Sequence, residues 1–355
     1  MVYRVYVEKK EALANEARAL LEDLRAFLGI QSLTGLRLFN RYDLEGISRE
    51  LFDYAVQTVL SEPQLDTVTS EVPQGDTVFA VEDPGYPKIR QVYDACGAVC
   101  APIPLDGQGV ELSALERSGA KALHISPNHQ YPTGLVTPIV RRQALLRWAE
   151  DTGSTIIEDD YDSELRLGGK PFPTLQSIDV SDKVIYMNTF TKTLASTVRI
   201  SYMVLPQTLA EKFYRELSFY SCTVSNFEQY TLAEFIENGS FEKHINRLRN
   251  YYQNKRDLIL QALEKKPLGD YVTIEEEEAG VHFLMHLCTD QKEEKIVTQA
   301  KSRGVKLKPL SGYYADTAEA AKQENTYVMN YSSIDPAAME RAAGVLLHIL
   351  QIPGR

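Results

Sequence analysis

The chain opens on alternation. In YRVYVE, apolar and polar side chains trade places residue by residue, which predicts a strand. The next stretch, KKEALANEARALLEDLRAFLGI, spaces its leucines and alanines three and four apart, the pattern of an amphipathic helix with Gly29 placed to end it. GLRLFNRYDLEG predicts a second strand with a turn, and SRELFDYAVQTVLSE a second amphipathic helix. This β-α-β-α order over residues 1–72 suits half of a ferredoxin-like sandwich. It contains no catalytic constellation.

From about Pro73 the pattern changes. Short apolar runs (DTVFAV, AVCAPIPL, KALHIS, STIIED, KVIYMNT, RISYMVL) alternate with helical stretches such as KIRQVYDACGA and IVRRQALLRWAEDTG. Strands that alternate with helices imply a mostly parallel sheet covered on both faces, an α/β unit over residues 74–240. A long helix, FEKHINRLRNYYQNKRDLILQALEKK, is followed by the strands YVTIEE and GVHFLMHL, a helix, short strands and the closing helix DPAAMERAAGVLLHIL. That order predicts a smaller α+β domain over residues 241–355. EEEE at 275–278 reads as a solvated turn.

Composition narrows the class. The 355 residues carry a net charge of −11, which argues against general affinity for nucleic acid or an anionic membrane. No apolar run is long enough to span a bilayer, and the first residues show no signal-peptide core, so a cytoplasmic protein is expected. Cys96, Cys100, Cys222 and Cys288 are scattered without zinc-ligand spacing and are expected to be free, buried thiols.

Candidate chemistry gathers after the apolar runs. In an open α/β sheet, ligands bind beyond the carboxyl ends of the strands. IIEDDYDSE places Asp159 and Tyr161 there, HISPNHQYPTG places Ser126 to Gly134, VEDPGYP places Tyr86, and MNTFTK places Thr189, Thr191 and Lys192. Read alone, the acidic cluster also suits a helix cap; no metal is expected, since no histidine ligands stand nearby in sequence. A lysine amine, a carboxylate, phenols, hydroxyls and an arginine form the set that pyridoxal 5'-phosphate requires. They provide an imine-forming amine, a partner for the ring nitrogen, groups for the ring hydroxyl and face, and a phosphate clamp.

Two resemblances add to this. Residues 1–72, through VEKKEALANEARALLEDLRAFLGIQSLTGLRLFNRYDLEGIS, resemble the amino-terminal, PurS-like segment of phosphoribosylformylglycinamidine synthase. In that family the segment is a structural and interface module, so the resemblance implies packing or association rather than catalysis. Residues 74–355 resemble the aminotransferase-like domain of MocR/GabR-type regulators, of fold type I. The motifs VEDPGYP, SPNHQYPTG, IIEDDYDSELR, PTLQSID, VIYMNTFTKTL, EFIENGSFEKHINRLRNYY and LKPLSGYY stand in that family's order. The resemblance implies that Lys192 is the Schiff-base lysine and that Arg199 binds the cofactor phosphate with Thr189 or Thr191. It implies that Asp159 pairs with the pyridinium nitrogen, Tyr161 faces the ring hydroxyl and Tyr86 stacks on the ring. It also implies a homodimer with the site at the subunit interface.

The chain departs from that pattern in places. VTSEVPQGDTV runs across the position of the family's phosphate-binding turn, with the seam near residues 70–75. STVR replaces GLR before the last apolar strand. VMNYSSI offers Ser332 and Ser333 where an arginine for a substrate carboxylate is usual, with Lys88 a partial substitute. The regulators' winged-helix DNA-binding part is not in this stretch. Three readings stay open: an aminotransferase acting on an amino compound, a degenerate ligand-sensing domain, or a truncated or fused chain without efficient turnover.

Overall fold

The computed structural model describes residues 2–27, 35–70, 77–167, 172–195, 197–275, 280–315 and 317–351. Gly29, the seam at 71–75 and Glu276–Glu278 of the acidic run lie outside them. The chain divides into two compact units. One holds Met1–Asp76 with Val92–Val99, the other Thr77–Gln91 with Cys100–Arg355.

In the first unit, β1 (Val2–Lys9) leads to α1 (Asn15–Phe27), β2 (Asn40–Glu45), α2 (Arg49–Ala55) and β3 (Asp66–Thr69). The sheet runs β2-β1-β3 and is antiparallel throughout. The sequence reading stopped at β-α-β-α; β3, only four residues long, is a strand because β1 offers it a free edge. The Ser48 hydroxyl caps α2 by accepting from the Leu51 N–H. A small core of Val5, Val7 and Phe52 lies between sheet and helix.

The second unit is built on a seven-stranded sheet. Its strands are β4 (Val78–Asp83), β5 (Val99–Asp106), β6 (Gly109–Val110), β7 (Ala122–Ile125), β8 (Thr155–Asp159), β9 (Val184–Thr189) and β10 (Ser201–Val204). The order is β10-β9-β8-β7-β4-β5-β6. β4, β7, β8 and β9 pair in parallel, and β10 runs antiparallel along the edge of β9. Their interiors read Ala80, Leu123, Ile156 and Val184, all buried. The crossovers carry α3 (Pro87–Ala95), α4 (Leu112–Arg117), α5 (Ile139–Thr152) and α6 (Leu175–Ile178). α5 buries Arg142, Leu145, Trp148 and Ala149 on one stripe and ends at Gly153, whose φ of +66° suits a residue without Cβ. Full burial of a side chain such as Leu145 is worth about 1.5–3 kcal/mol.

Beyond the sheet run α7 (Gln207–Leu217), α8 (Asn226–Glu237) and α9 (Ser240–Glu264). A three-stranded antiparallel sheet follows, ordered β11 (Val272–Glu275), β12 (His282–Leu287), β13 (Thr326–Asn330), with α10 (Glu293–Ser302), α11 (Thr317–Ala321) and α12 (Met339–Ile349). Its core joins Ile259 and Leu263 of α9 to Phe283, Met285 and Leu287 of β12, and to Ile296, Leu346 and Ile349. Among the described residues no helix is long and apolar enough to cross a membrane. The cysteines are free, but Cys96, Cys222 and Cys288 are exposed rather than buried. Cys96 and Cys288 stand just past the ends of α3 and β12, and Cys222 between α7 and α8, where side chains meet solvent.

Candidate active site

The parallel pairing of β4, β7, β8 and β9 brings their carboxyl ends to one edge of the sheet. Asp159 is the last residue of β8 and Thr189 the last of β9; Tyr86 and Lys192 lie in the turns that follow β4 and β9. The strand-end placements read from sequence therefore hold.

The loop after β7 is fixed from below by Arg142. Its guanidinium is fully buried and donates to the Thr137, Pro127 and Pro173 carbonyls and to Asn128 Oδ1, each at 2.8–2.9 Å. Gln130 ties the same loop to the turn after β4, donating at 2.8 Å to the Pro84 carbonyl. Glu158 accepts from the Leu175 and Gln176 N–H groups, so its carboxylate anchors α6 and faces away from the site.

At the strand ends a continuous polar cluster forms. His124 Nε2 lies 3.5 Å from Asp159 Oδ2. Glu82, on β4, accepts from the Ser126 N–H at 3.2 Å; burial, aided by the charge of Asp159, pushes its carboxyl up to about 8. The Tyr161 hydroxyl is 3.2 Å from His129 Nδ1, which is also 2.9 and 3.0 Å from the two Asp162 oxygens. Burial, with Asp162 and Asp159 nearby, raises the Tyr161 phenol well above its ordinary range, so it is neutral. His282 packs against His129 with the rings tilted and their centroids 4.3 Å apart, and burial drives its ionisation well down, with His129 and Lys192 adding to the effect.

Tyrosines wall the cluster. Tyr131 meets Tyr86 edge to face at 5.7 Å and Tyr161 at 6.4 Å, and its hydroxyl is 2.8 Å from that of Tyr313. Tyr86 is 43% exposed, an aromatic face open to solvent. Lys192 is exposed. Thr189 and Thr191 bond through their hydroxyls at 2.9 Å, and Arg199 reaches Thr191 at 3.4 Å. This puts a guanidinium and two hydroxyls at one corner, a donor set suited to a phosphate.

The residues suggested for substrate stand differently. Lys88 is exposed in the first turn of α3. The Ser332 hydroxyl bonds Asn330 Oδ1 at 2.6 Å, the Ser333 hydroxyl bonds the Asn330 carbonyl, and buried Lys255 donates to the Ser332 carbonyl. Both serine hydroxyls are thus engaged at the end of β13. The sequence reading passed over Glu82, His124, His129, Asp162 and His282. His129 and His282 are 153 residues apart in the chain and meet only in the fold. The signal at hand was the position of HISPNHQYPTG directly after an apolar strand.

A lysine at a strand end, a half-buried carboxylate backed by an imidazole, a neutral phenol, an open aromatic face and an arginine–hydroxyl corner suit a planar, phosphorylated pyridine aldehyde. No protein-family model matches the chain. Over 252 residues it is 40% identical to the uncharacterized HTH-type transcriptional regulator YdeL of Bacillus subtilis, covering 71% of this chain and 54% of that protein. It is 33% identical over 275 residues to the probable rhizopine catabolism regulatory protein MocR of Rhizobium meliloti, covering 78% and 55%. The chain thus spans about half the length of these curated relatives. Pyrococcus horikoshii kynurenine aminotransferase, solved in complex with PMP, superposes with a TM-score of 0.67 at 27% identity, covering 80% of this chain and 72% of that one. The α/β fold is therefore that of the fold type I aminotransferases.

Proposed function

We propose that the second unit binds pyridoxal 5'-phosphate on Lys192 and acts on an amino compound as an aminotransferase. The carrying observation is the shared strand-end cluster of Asp159, Tyr161, Tyr86 and Lys192. When bound, the cofactor supplies an electron sink for bonds broken at the carbon that bears the amine. The chain's own residues would do the rest. Lys192 would hold the aldehyde and afterwards carry protons at its amine. Asp159, with His124 beside it, would keep a proton at the ring nitrogen. Tyr161, a neutral phenol, would donate to the oxygen of the ring hydroxyl. Tyr86 would cover the ring face, and Arg199 with Thr189 and Thr191 would take the phosphate.

A second reading is a ligand-sensing unit that holds the cofactor with little turnover. The regulator relatives favour it, as does the engagement of the Ser332 and Ser333 hydroxyls with Asn330. One experiment addresses both readings. Purified chain is mixed with pyridoxal phosphate, its visible spectrum recorded, and borohydride added before peptide mapping. Cofactor fixed on Lys192 supports the proposal, and a trapped adduct on any other lysine removes it. In a separate, unreduced sample, amino donors that convert the bound cofactor once, without repeated turnover, select the sensing reading.

A second copy of the chain is proposed as partner. Phe219 and Tyr220, just past α7, and Phe227 and Tyr230, in the first turns of α8, are each at least 69% exposed, and a run of exposed aromatics of this kind marks an interaction surface. The first unit, with its PurS-like sequence, is assigned packing or association and no part in the cofactor chemistry. The acidic balance gives no support to nucleic-acid binding by this chain, and a cytoplasmic setting is proposed on the sequence features alone.

A further inference from the structure

Tyr161 does not stand alone. His129 Nδ1 is within reach of three oxygens: both oxygens of Asp162 and the Tyr161 hydroxyl. His129 and Asp162 are 4% and 1% exposed, and His129 Nε2 is buried with no hydrogen-bond partner. A neutral imidazole carries one proton. On Nε2 that proton would be a buried donor with nothing to bind, which is unfavourable. On Nδ1 it meets Asp162, which as a carboxylate only accepts. The proton therefore belongs on Nδ1.

The tautomer sets the polarity of Tyr161. With Nδ1 a donor, the Tyr161 oxygen can only accept from it, and the phenol's own hydrogen must point elsewhere. The other groups near the phenol are Asp159, Tyr131 and Glu82. We propose that Asp162 and His129 are positioning residues that hold Tyr161 as a hydrogen-bond donor toward the ring hydroxyl of the cofactor. This rests on the function proposed above. His282 packs against the His129 ring, and Gly280 leaves the room that His129 and Asp162 need: a Cβ there would lie 2.1 Å from His129 Cε1 and 2.6 Å from Asp162 Oδ2.

His129, Asp162 and His282 also have the composition of a metal site. The geometry favours the positioning role, because both Asp162 oxygens already lie within hydrogen-bond reach of His129 Nδ1.

The first test needs no cofactor. In ¹⁵N-histidine-labelled full chain, His129 is expected as the Nδ1–H tautomer, with a low-field proton that Asp162→Asn moves and His129→Gln removes. An Nε2–H tautomer overturns the proposal, as does zinc binding that shifts His129 and His282 together. The second test follows the pH midpoint of the bound cofactor's colour change. A donor to the ring oxygen favours its anionic form, so Tyr161→Phe should raise the midpoint by about one unit or more. Asp162→Asn should raise it in the same direction, and the double variant should add nothing beyond Tyr161→Phe alone. Additive shifts, or none for Asp162→Asn in a variant that binds normally, overturn the proposal. If no cofactor is trapped on Lys192 at all, the proposed function fails, while the tautomer measurement still decides the pairing.

Discussion

His124 Nε2 stands 3.5 Å from Asp159 Oδ2, the histidine inside β7 and the aspartate at the end of the neighbouring parallel strand β8. The contact is long for a hydrogen bond, and it backs the carboxylate from the sheet side. His124→Ala should leave Asp159 in place but less fixed. We expect the affinity for pyridoxal phosphate, read by fluorescence titration, to fall about three- to tenfold, less than a well-formed hydrogen bond to a charged group would give, because the contact is long. Unchanged affinity would mean that Asp159 does not depend on His124.

Glu82 gives a pH dependence with a definite sign. Its carboxyl sits at about 8 in the fold against an ordinary 4.5. Between those values the unfolded chain releases the proton while the folded chain keeps it, so stability falls as pH rises through that window, with a limiting slope of about 1.4 kcal/mol per unit. Glu82→Gln should flatten this fall. Urea unfolding at pH 5 and pH 8 checks it: the variant's advantage over the parent must grow with pH, and a constant difference would contradict the argument.

Arg142 is the structural tie of the loop after β7. Arg142→Met leaves the Thr137, Pro127 and Pro173 carbonyls without their donor and removes the cation 4.0 Å from buried Glu158. Loss of one partner in such a buried network costs about 3–5 kcal/mol. Denaturant melts should show that loss, together with weaker cofactor binding as the loop loosens. A loss below about 1 kcal/mol would show the loop to be held by other means.

Gly280 has a φ of +65° and no room for a methyl group against His129. Gly280→Ala combines left-handed strain with overpacking, each worth about 1–3 kcal/mol. The low-field proton of His129 should move or vanish in this variant, alongside a lower unfolding midpoint. A variant as stable as the parent, with the His129 signal intact, would show that the backbone shifts at little cost.

Phosphate affinity should be modest. VTSEVPQGDTV lacks the phosphate-binding turn expected from the resemblance to MocR/GabR-type regulators, so on the function proposed above Arg199 with Thr191 would be the main phosphate contact. Two missing charge-assisted hydrogen bonds, at about 1.5–3 kcal/mol each, raise the dissociation constant by roughly a hundredfold or more. Arg199→Ala should then release the cofactor, seen as loss of bound colour on gel filtration. A submicromolar dissociation constant for the parent chain would count against this reasoning.

The proposed second copy can be checked directly. Sedimentation at micromolar concentration should give a dimer, and Phe227→Glu with Tyr230→Glu should shift it to monomer. A parent chain that sediments only as monomer would remove the partner and leave the aromatic face unexplained.

The sequence by itself determined the alternation of strand and helix and which polar residues follow the apolar runs. Those features are local: apolar runs of four to eight residues mark buried strands, and polar residues just after them mark the sheet edge where ligands sit. Asp159, Tyr161, Tyr86, Thr189 and Lys192 were legible for that reason. Only the tertiary structure decided the rest. β3 is a strand because β1 leaves it an edge, and Arg142 is buried because three acceptors of the loop after β7 and the Pro173 carbonyl converge on it. Glu82 holds its proton because packing strips water from it beside Asp159. Asp162, His129, His282 and Gly280 come from three distant stretches; only His129, in the motif after β7, stands at a place the sequence marked, and its pairing with the others is not legible there. Burial and the pairing of donors with acceptors set their roles, and both are properties of the folded chain rather than of neighbours in sequence.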